Sequence, residues 1–148
     1  MDNNTIFRGI KATFDCSDWQ QVETIGNFWE CAAGIVPWID LVGLGCNWTT
    51  DGQYFDYALG TIEDNSELVE ALASIDFASL SLETTPCEIT LPPLSDPKWE
   101  TFSGKDSEVK EIYERADCYH RKYDYELEYL DGKGNFSTMI HFIEPKCS

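Results

Sequence analysis

The sequence predicts an α+β fold: a duplicated βαββ unit, with the two copies related by pseudo-twofold symmetry around a central groove. Three observations carry this. A strand–helix–hairpin succession occurs twice, over roughly residues 6–60 and 86–143. Each succession contains an Asp-Gly turn, Asp51-Gly52 and Asp131-Gly132, a strong hairpin signal between alternating apolar runs. The apolar period switches between 2 and 3.6 in step with these boundaries. Two such halves packed side by side leave a cleft at their junction.

Each element has its own warrant. Residues 6–14 (IFRGIKATF) are rich in β-formers and make the first strand. Ser17 and Gln20 fit a capping box, after which Trp19, Val22, Ile25, Trp29 and Ala32 recur at helical spacing. Gly26 weakens this helix, and Gly34 and Pro37 end it. Residues 41–48 and 53–60 are the first hairpin. Residues 67–72 suit a short helix, and 77–82 either a strand or a covering loop. Residues 87–91 and 98–102 are strands parted by the proline-rich 92–97. Val109, Ile112, Tyr113 and Ala116 place one apolar face on a second helix that starts near Asp106 or Ser107. Residues 123–130 and 137–143 form the closing hairpin.

A chain of 148 residues suits one domain, 1–148, with a real core, and its 14% aromatic content argues against disorder. The net charge of −17 argues against nucleic-acid or anionic-membrane partners, which want a basic footprint. It suits a cationic ligand or a basic protein, although solubility alone explains it more simply. The first residues lack a basic stretch followed by an apolar run, and no segment is long and apolar enough to span a bilayer, so a cytoplasmic location is expected. Six cysteines without a CxxC pair, beside only His120 and His141, suggest buried free thiols rather than a metal site, and nothing calls for a cofactor. His120, next to Arg121 and Lys122, reads as a solvated helix-end residue. Residues 41–45 (LVGLG) lack the third glycine and the βαβ context of a dinucleotide fingerprint.

The strand at 123–129 (YDYELEY) carries the functional question. Strand alternation puts Tyr123, Tyr125, Leu127 and Tyr129 on one face and Asp124, Glu126 and Glu128 on the other. The acidic face either meets water or lines a cavity that wants positive charge.

Four stretches give the chain a resemblance to a known family. These are 27–30 (NFWE) on the first helix, 41–45 with 54–60 (YFDYALG) in the first hairpin, 91–93 (LPP) with 97–102 (PKWETF), and 124–129 (DYELEY) with 140–145 (IHFIEP). In this order and spacing the chain resembles the GyrI-like small-molecule-binding domains, the effector-binding domains of AraC- and MerR-type multidrug-sensing regulators that also occur as stand-alone proteins. The resemblance covers nearly the whole chain, and it implies the duplicated fold described above. It also implies binding of hydrophobic, often cationic, drug-like molecules between aromatic side chains, with a buried glutamate as countercharge. Through stand-alone members of that family the resemblance also implies two other activities, hydrolysis of cyclopropane-bearing DNA alkylators and modulation of DNA gyrase. The family's last strand often has an acid two positions before an aromatic; here Ile140 precedes Phe142 in that place, so the glutamate must come from the strand before it.

The expected ligand-binding residues are Glu126, Glu128, Trp29, Trp99, Tyr57, Trp38, His141 and Phe142, with Trp48 at the rim. For Trp29 the competing reading is core packing; for Glu126 and Glu128 it is a solvated strand face; for His141 it is an ordinary satisfied histidine. If the chain is an enzyme, Glu126 or Glu128 serves as general base on a water, with Tyr57 or His141 protonating a developing oxyanion. Three functions compete: a small-molecule binder that sequesters or senses hydrophobic cations, a xenobiotic hydrolase, and an acidic interaction protein with gyrase or a regulator as partner.

Overall fold

The computed structural model describes residues 4–16, 20–51, 53–116 and 121–143. Ser17 of the expected capping box, Trp19, Gly52, Cys118, His120 and Cys147 lie outside the described residues. One seven-stranded sheet carries β1 (Thr5–Asp15), β2 (Val42–Cys46), β3 (Tyr54–Thr61), β4 (Thr85–Leu91), β5 (Trp99–Lys105), β6 (Tyr123–Leu130) and β7 (Asn135–Phe142). The strand order is β4-β1-β3-β2-β6-β7-β5, with antiparallel pairing throughout. Among the described residues three α-helices join them, α1 (Gln20–Ala33), α2 (Ser66–Ala73) and α3 (Val109–Arg115).

Read outward from the central β2–β6 pair, β2-β3-β1 corresponds to β6-β7-β5. The units β1-α1-β2-β3 and β5-α3-β6-β7 are therefore equivalent, and the duplication expected from the sequence is present. Its second boundary is not near residue 86. Strand β4 pairs with β1 at one edge of the sheet, and the second unit begins with β5 at the opposite edge. Pro92, Pro93 and Pro97 lie on the crossover; proline cannot donate to a ladder, so the strand stops before them.

The helices cover one face of the sheet. Phe28, Trp29 and Ala32 of α1 and Leu68 and Leu72 of α2 pack with Ile10, Ala12, Phe14, Phe55, Tyr57 and Leu59. Ile112, Tyr113 and Ala116 of α3 pack with Phe136, Ile140 and Phe142. The alternate residues of the strands, Phe7, Leu44, Ala58, Leu91, Trp99 and Leu127 among them, form a second apolar cluster on the other face. Helix α2 starts at Asn65, whose side chain accepts from Leu68 N at 3.1 Å, an N-cap. The ambiguous 77–82 segment is a covering loop with a 3₁₀ turn at Ala78–Leu80, and Phe77 packs edge-on against Phe28, 5.0 Å between ring centroids.

Strand β6 departs from simple alternation. Tyr123 stands opposite Phe142 and Tyr125 opposite His141, which leaves Asp124 as the extra residue of a β-bulge. The bulge moves Tyr123 to the helix face, where it packs on Phe142 and Trp48. It sends Asp124 to the opposite face, where its carboxylate meets His141. The three-acid row read from the sequence is thus a two-acid row.

Among the described residues Cys16, Cys31, Cys46 and Cys87 are free thiols, and of these four only Cys46 is fully buried, so the expectation of buried thiols is met in part. Among the described residues no helix is long and apolar enough to cross a membrane.

Candidate functional site

The acid pair lies where the two units meet. At the β2–β6 seam Gly43 faces Glu128 and Gly45 faces Glu126. Leu44 and Leu127 point to the opposite face, so β2 offers only glycines to the helix side. This absence of side chains is a steric requirement. A Cβ on Gly43 would sit 2.0 Å from the Tyr57 hydroxyl and 3.0 Å from the Trp29 ring, and one on Gly45 would sit 2.6 Å from Glu126 Oε1. The carboxylates and Tyr57 lie across β2 in the space that side chains would fill.

The pair is not in solvent: Glu126 is 7% exposed and Glu128 6%. Both oxygens of Glu128 accept from tyrosine hydroxyls, one from each unit. Tyr57 of β3 donates to Oε1 at 2.5 Å, and Tyr113 of α3 donates to Oε2. Trp29 Nε1–H donates to the Tyr57 hydroxyl at 2.8 Å, and Thr138 Oγ1 stands 3.2 Å from the Tyr113 hydroxyl. Burial raises both carboxyls above their ordinary value. Glu126 is driven well above it, since the charge on Glu128 adds to burial. For Glu128 the two tyrosine hydroxyls oppose the effect of burial by stabilising the charged form. The Tyr113 hydroxyl also pulls Glu126 down, but its close contact is with Glu128, and burial with like charge wins at Glu126. Burial and the neighbouring carboxylates push Tyr57 and Tyr113 well above the usual phenol range, so both remain hydroxyls.

Of the residues singled out in the sequence, Glu126, Glu128, Trp29 and Tyr57 come together. Trp99 and His141 pair with each other across β5 and β7 on the opposite face of the sheet, and do not join the acids. His141 is held between Asp124 at 2.7 Å from Nδ1 and Asp96 at 3.1 Å from Nε2, while Trp99 donates to the Pro93 carbonyl at 3.1 Å. Phe142 shares the helix face but sits in the α3 cluster with the Arg121 guanidinium 3.5 Å from its ring centre. Trp38 opens a 3₁₀ turn, Trp38–Asp40, between α1 and β2. Trp48 stacks flat on Phe55 at 5.4 Å. A groove of about 730 Å³ opens elsewhere, with Leu41, Lys105, Leu130 and Phe136 in its lining, and does not include the acids.

Sequence reasoning missed Tyr113, Thr138, Gly43 and Gly45. By spacing Tyr113 reads as part of the apolar stripe of α3, where it does lie; the available signal is its hydroxyl, since a buried tyrosine needs a partner. The glycines carried a signal too, recurring at i and i+2 on one face of a strand whose other face is apolar.

The junction yields one stability prediction. Gly43→Ala forces Tyr57 off Glu128, combining overpacking with the loss of a hydrogen bond to a charged acceptor. It is expected to destabilise the fold by about 2–4 kcal/mol, read as a lower urea midpoint at unchanged slope.

No protein-family model and no curated protein sequence matches the chain. Solved structures do. An integron cassette protein, VCH_CASS2, from the mobile metagenome of Vibrio cholerae superposes with a TM-score of 0.57 at 19% identity, over 95% of this chain and 91% of that one. The protein SAV2435, solved bound to tetraphenylphosphonium, superposes with a TM-score of 0.50 at 15% identity, over 94% of this chain and 88% of that one. At such identities the likeness is one of fold: the α+β architecture is shared across nearly the full length of both.

Proposed function

We propose that the chain binds hydrophobic organic cations on the helix side of the β2–β6 seam, with Glu128 as countercharge and Trp29, Tyr57 and Tyr113 as the aromatic groups around it. One observation carries this: a buried carboxylate at the seam of the two units, with each oxygen held by a tyrosine from a different unit. An ionised buried carboxylate is costly, and hydroxyl donors offset only part of that cost. A desolvated cation on aromatic faces would offset more, at about 2 kcal/mol for a favourable cation–π contact. The fold it shares with a protein solved bound to tetraphenylphosphonium supports the same reading. Selection by charge and shape rather than by dense hydrogen bonding makes the site tolerant of many ligands, which suits a sensing or sequestering role in a cytoplasm exposed to xenobiotics.

The test is a titration of tryptophan fluorescence with tetraphenylphosphonium. Saturable quenching is expected, because Trp29 forms a wall of the site. Changing Glu126 and Glu128 together to glutamine is expected to weaken binding by about tenfold or more, a loss of about 1.4 kcal/mol. Affinity undiminished by that double change would rule the site out.

A second reading, hydrolysis of a reactive xenobiotic, has one observation in its favour: a carboxyl held above its ordinary value stands beside two tyrosine hydroxyls able to donate to a developing oxyanion. Incubation with a cyclopropane-bearing alkylator separates the two, since a binder returns the compound intact and a hydrolase returns its water adduct.

A further inference from the structure

We infer that the site exchanges a proton for its cation: Glu128 is the standing negative charge, Glu126 holds the exchangeable proton, and cation entry expels that proton. The inference rests on the binding reading above and adds its stoichiometry. Hydrogen-bond direction is the basis. An indole N–H can only donate. Because Trp29 Nε1–H fills a lone pair of the Tyr57 hydroxyl, the single proton of Tyr57 is turned toward Glu128 Oε1. Tyr113 donates to Oε2, while between its hydroxyl and Thr138 Oγ1 either atom can be the donor. A carboxyl accepting on both oxygens is the ionised partner of the pair. Its neighbour on the same strand face, folded over Gly45, is then the one that stays protonated, because two adjacent buried carboxylates without a cation repel each other.

The other titratable groups around the pair are poor proton sources near neutral pH. From β3 and α3 these are Tyr57 and Tyr113, both pushed well above the phenol range. At the end of β1 it is Cys16, and on β2 Cys46; burial pushes them up to about 11 and about 12. A cation placed beside Glu128 removes the reason for Glu126 to remain neutral: the O–H bond of Glu126 breaks, its electron pair stays on the carboxylate, and the proton leaves to water. Trp29 acts in this scheme as a positioning residue, setting which of the two acids is charged.

Calorimetric titration of tetraphenylphosphonium near neutral pH, in two buffers of different ionisation enthalpy, measures the exchange directly. The wild-type chain is expected to release up to about one proton per cation bound, and its affinity to rise by up to about tenfold per pH unit as pH increases. Glu126→Gln is expected to bind with no proton release and with affinity flat in pH. The wild-type measurement stands by itself if that variant fails to fold. Binding by the wild type without proton release, or release that persists in Glu126→Gln, overturns the exchange and leaves the binding site standing. Absence of any binding overturns both.

Discussion

Replacing Trp29 by alanine is expected to cost about 3–5 kcal/mol, the range for emptying a fully buried large aromatic side chain. The indole is 2% exposed, wedged between α1 and the sheet in the cluster that includes Phe28, Ile10 and Tyr57. Its loss opens a void between α1 and the sheet. Trp29→Phe isolates the polar share. It keeps most of the apolar area but removes the N–H that Tyr57 accepts, and is expected to cost about 1 kcal/mol for that bond, plus a small packing term. Urea melts of the two variants check the ordering; equal loss in both would mean that the hydrogen bond, not the packing, holds α1 down. The same pair matters for function. With phenylalanine at 29 the Tyr57 hydroxyl is free to reverse, and Oε1 of Glu128 loses its fixed donor while Tyr113 stays on Oε2.

Much of this arrangement was legible in the sequence, for identifiable reasons. The duplication showed because the strand and helix periods recur in the same order in each half, and an Asp-Gly turn punctuates both. At the second turn the structure shows Gly132 and Gly134 at φ of 73° and 92°, the left-handed region that favours glycine, so that signal has a mechanism. Glu126 and Glu128 were legible as a pair on one strand face. The face itself was half misread: one bulge at Asp124 reversed the side of Tyr123, and a bulge leaves no mark on alternation until the partner strand is known. Trp99 and His141 are expected in the cleft from their places on strands that resemble the family's, yet the parity of their register with Ile140 and Glu126 puts them on the opposite face. Parity is set by pairing across the sheet, and a single strand read alone does not contain it. Tyr113 was hidden for the opposite reason. Its helical spacing is that of an ordinary core residue, and its hydroxyl gains meaning only once β6 and α3 are brought together.

Stability is expected to fall as pH rises from mildly acidic to alkaline, with Glu126 as the main cause. The sign follows from the direction of the shifts. Both Glu126 and Glu128 titrate higher in the folded chain than the ordinary value of 4.5. Between that value and their folded values the native state holds more protons than the unfolded state, so each pH unit gained costs up to about 1.4 kcal/mol per extra proton held. Below the window the sign reverses. Asp51, Asp96 and Asp131 lie under their ordinary value of 3.8, each chiefly through hydrogen bonds, so protonating them favours the unfolded chain. A stability maximum in the mildly acidic range follows. General repulsion within a chain of net charge −17 also weakens the fold as pH rises, but exposed charges are screened by salt and a buried pair much less so. Denaturant midpoints across this range, in low and high salt, separate the two. In high salt the wild type is expected to keep its decline toward alkaline pH, and Glu126→Gln to flatten it, leaving the variant the more stable of the two above neutrality. A decline that vanishes in high salt without any substitution would assign the effect to the surface and place the strain of the junction elsewhere.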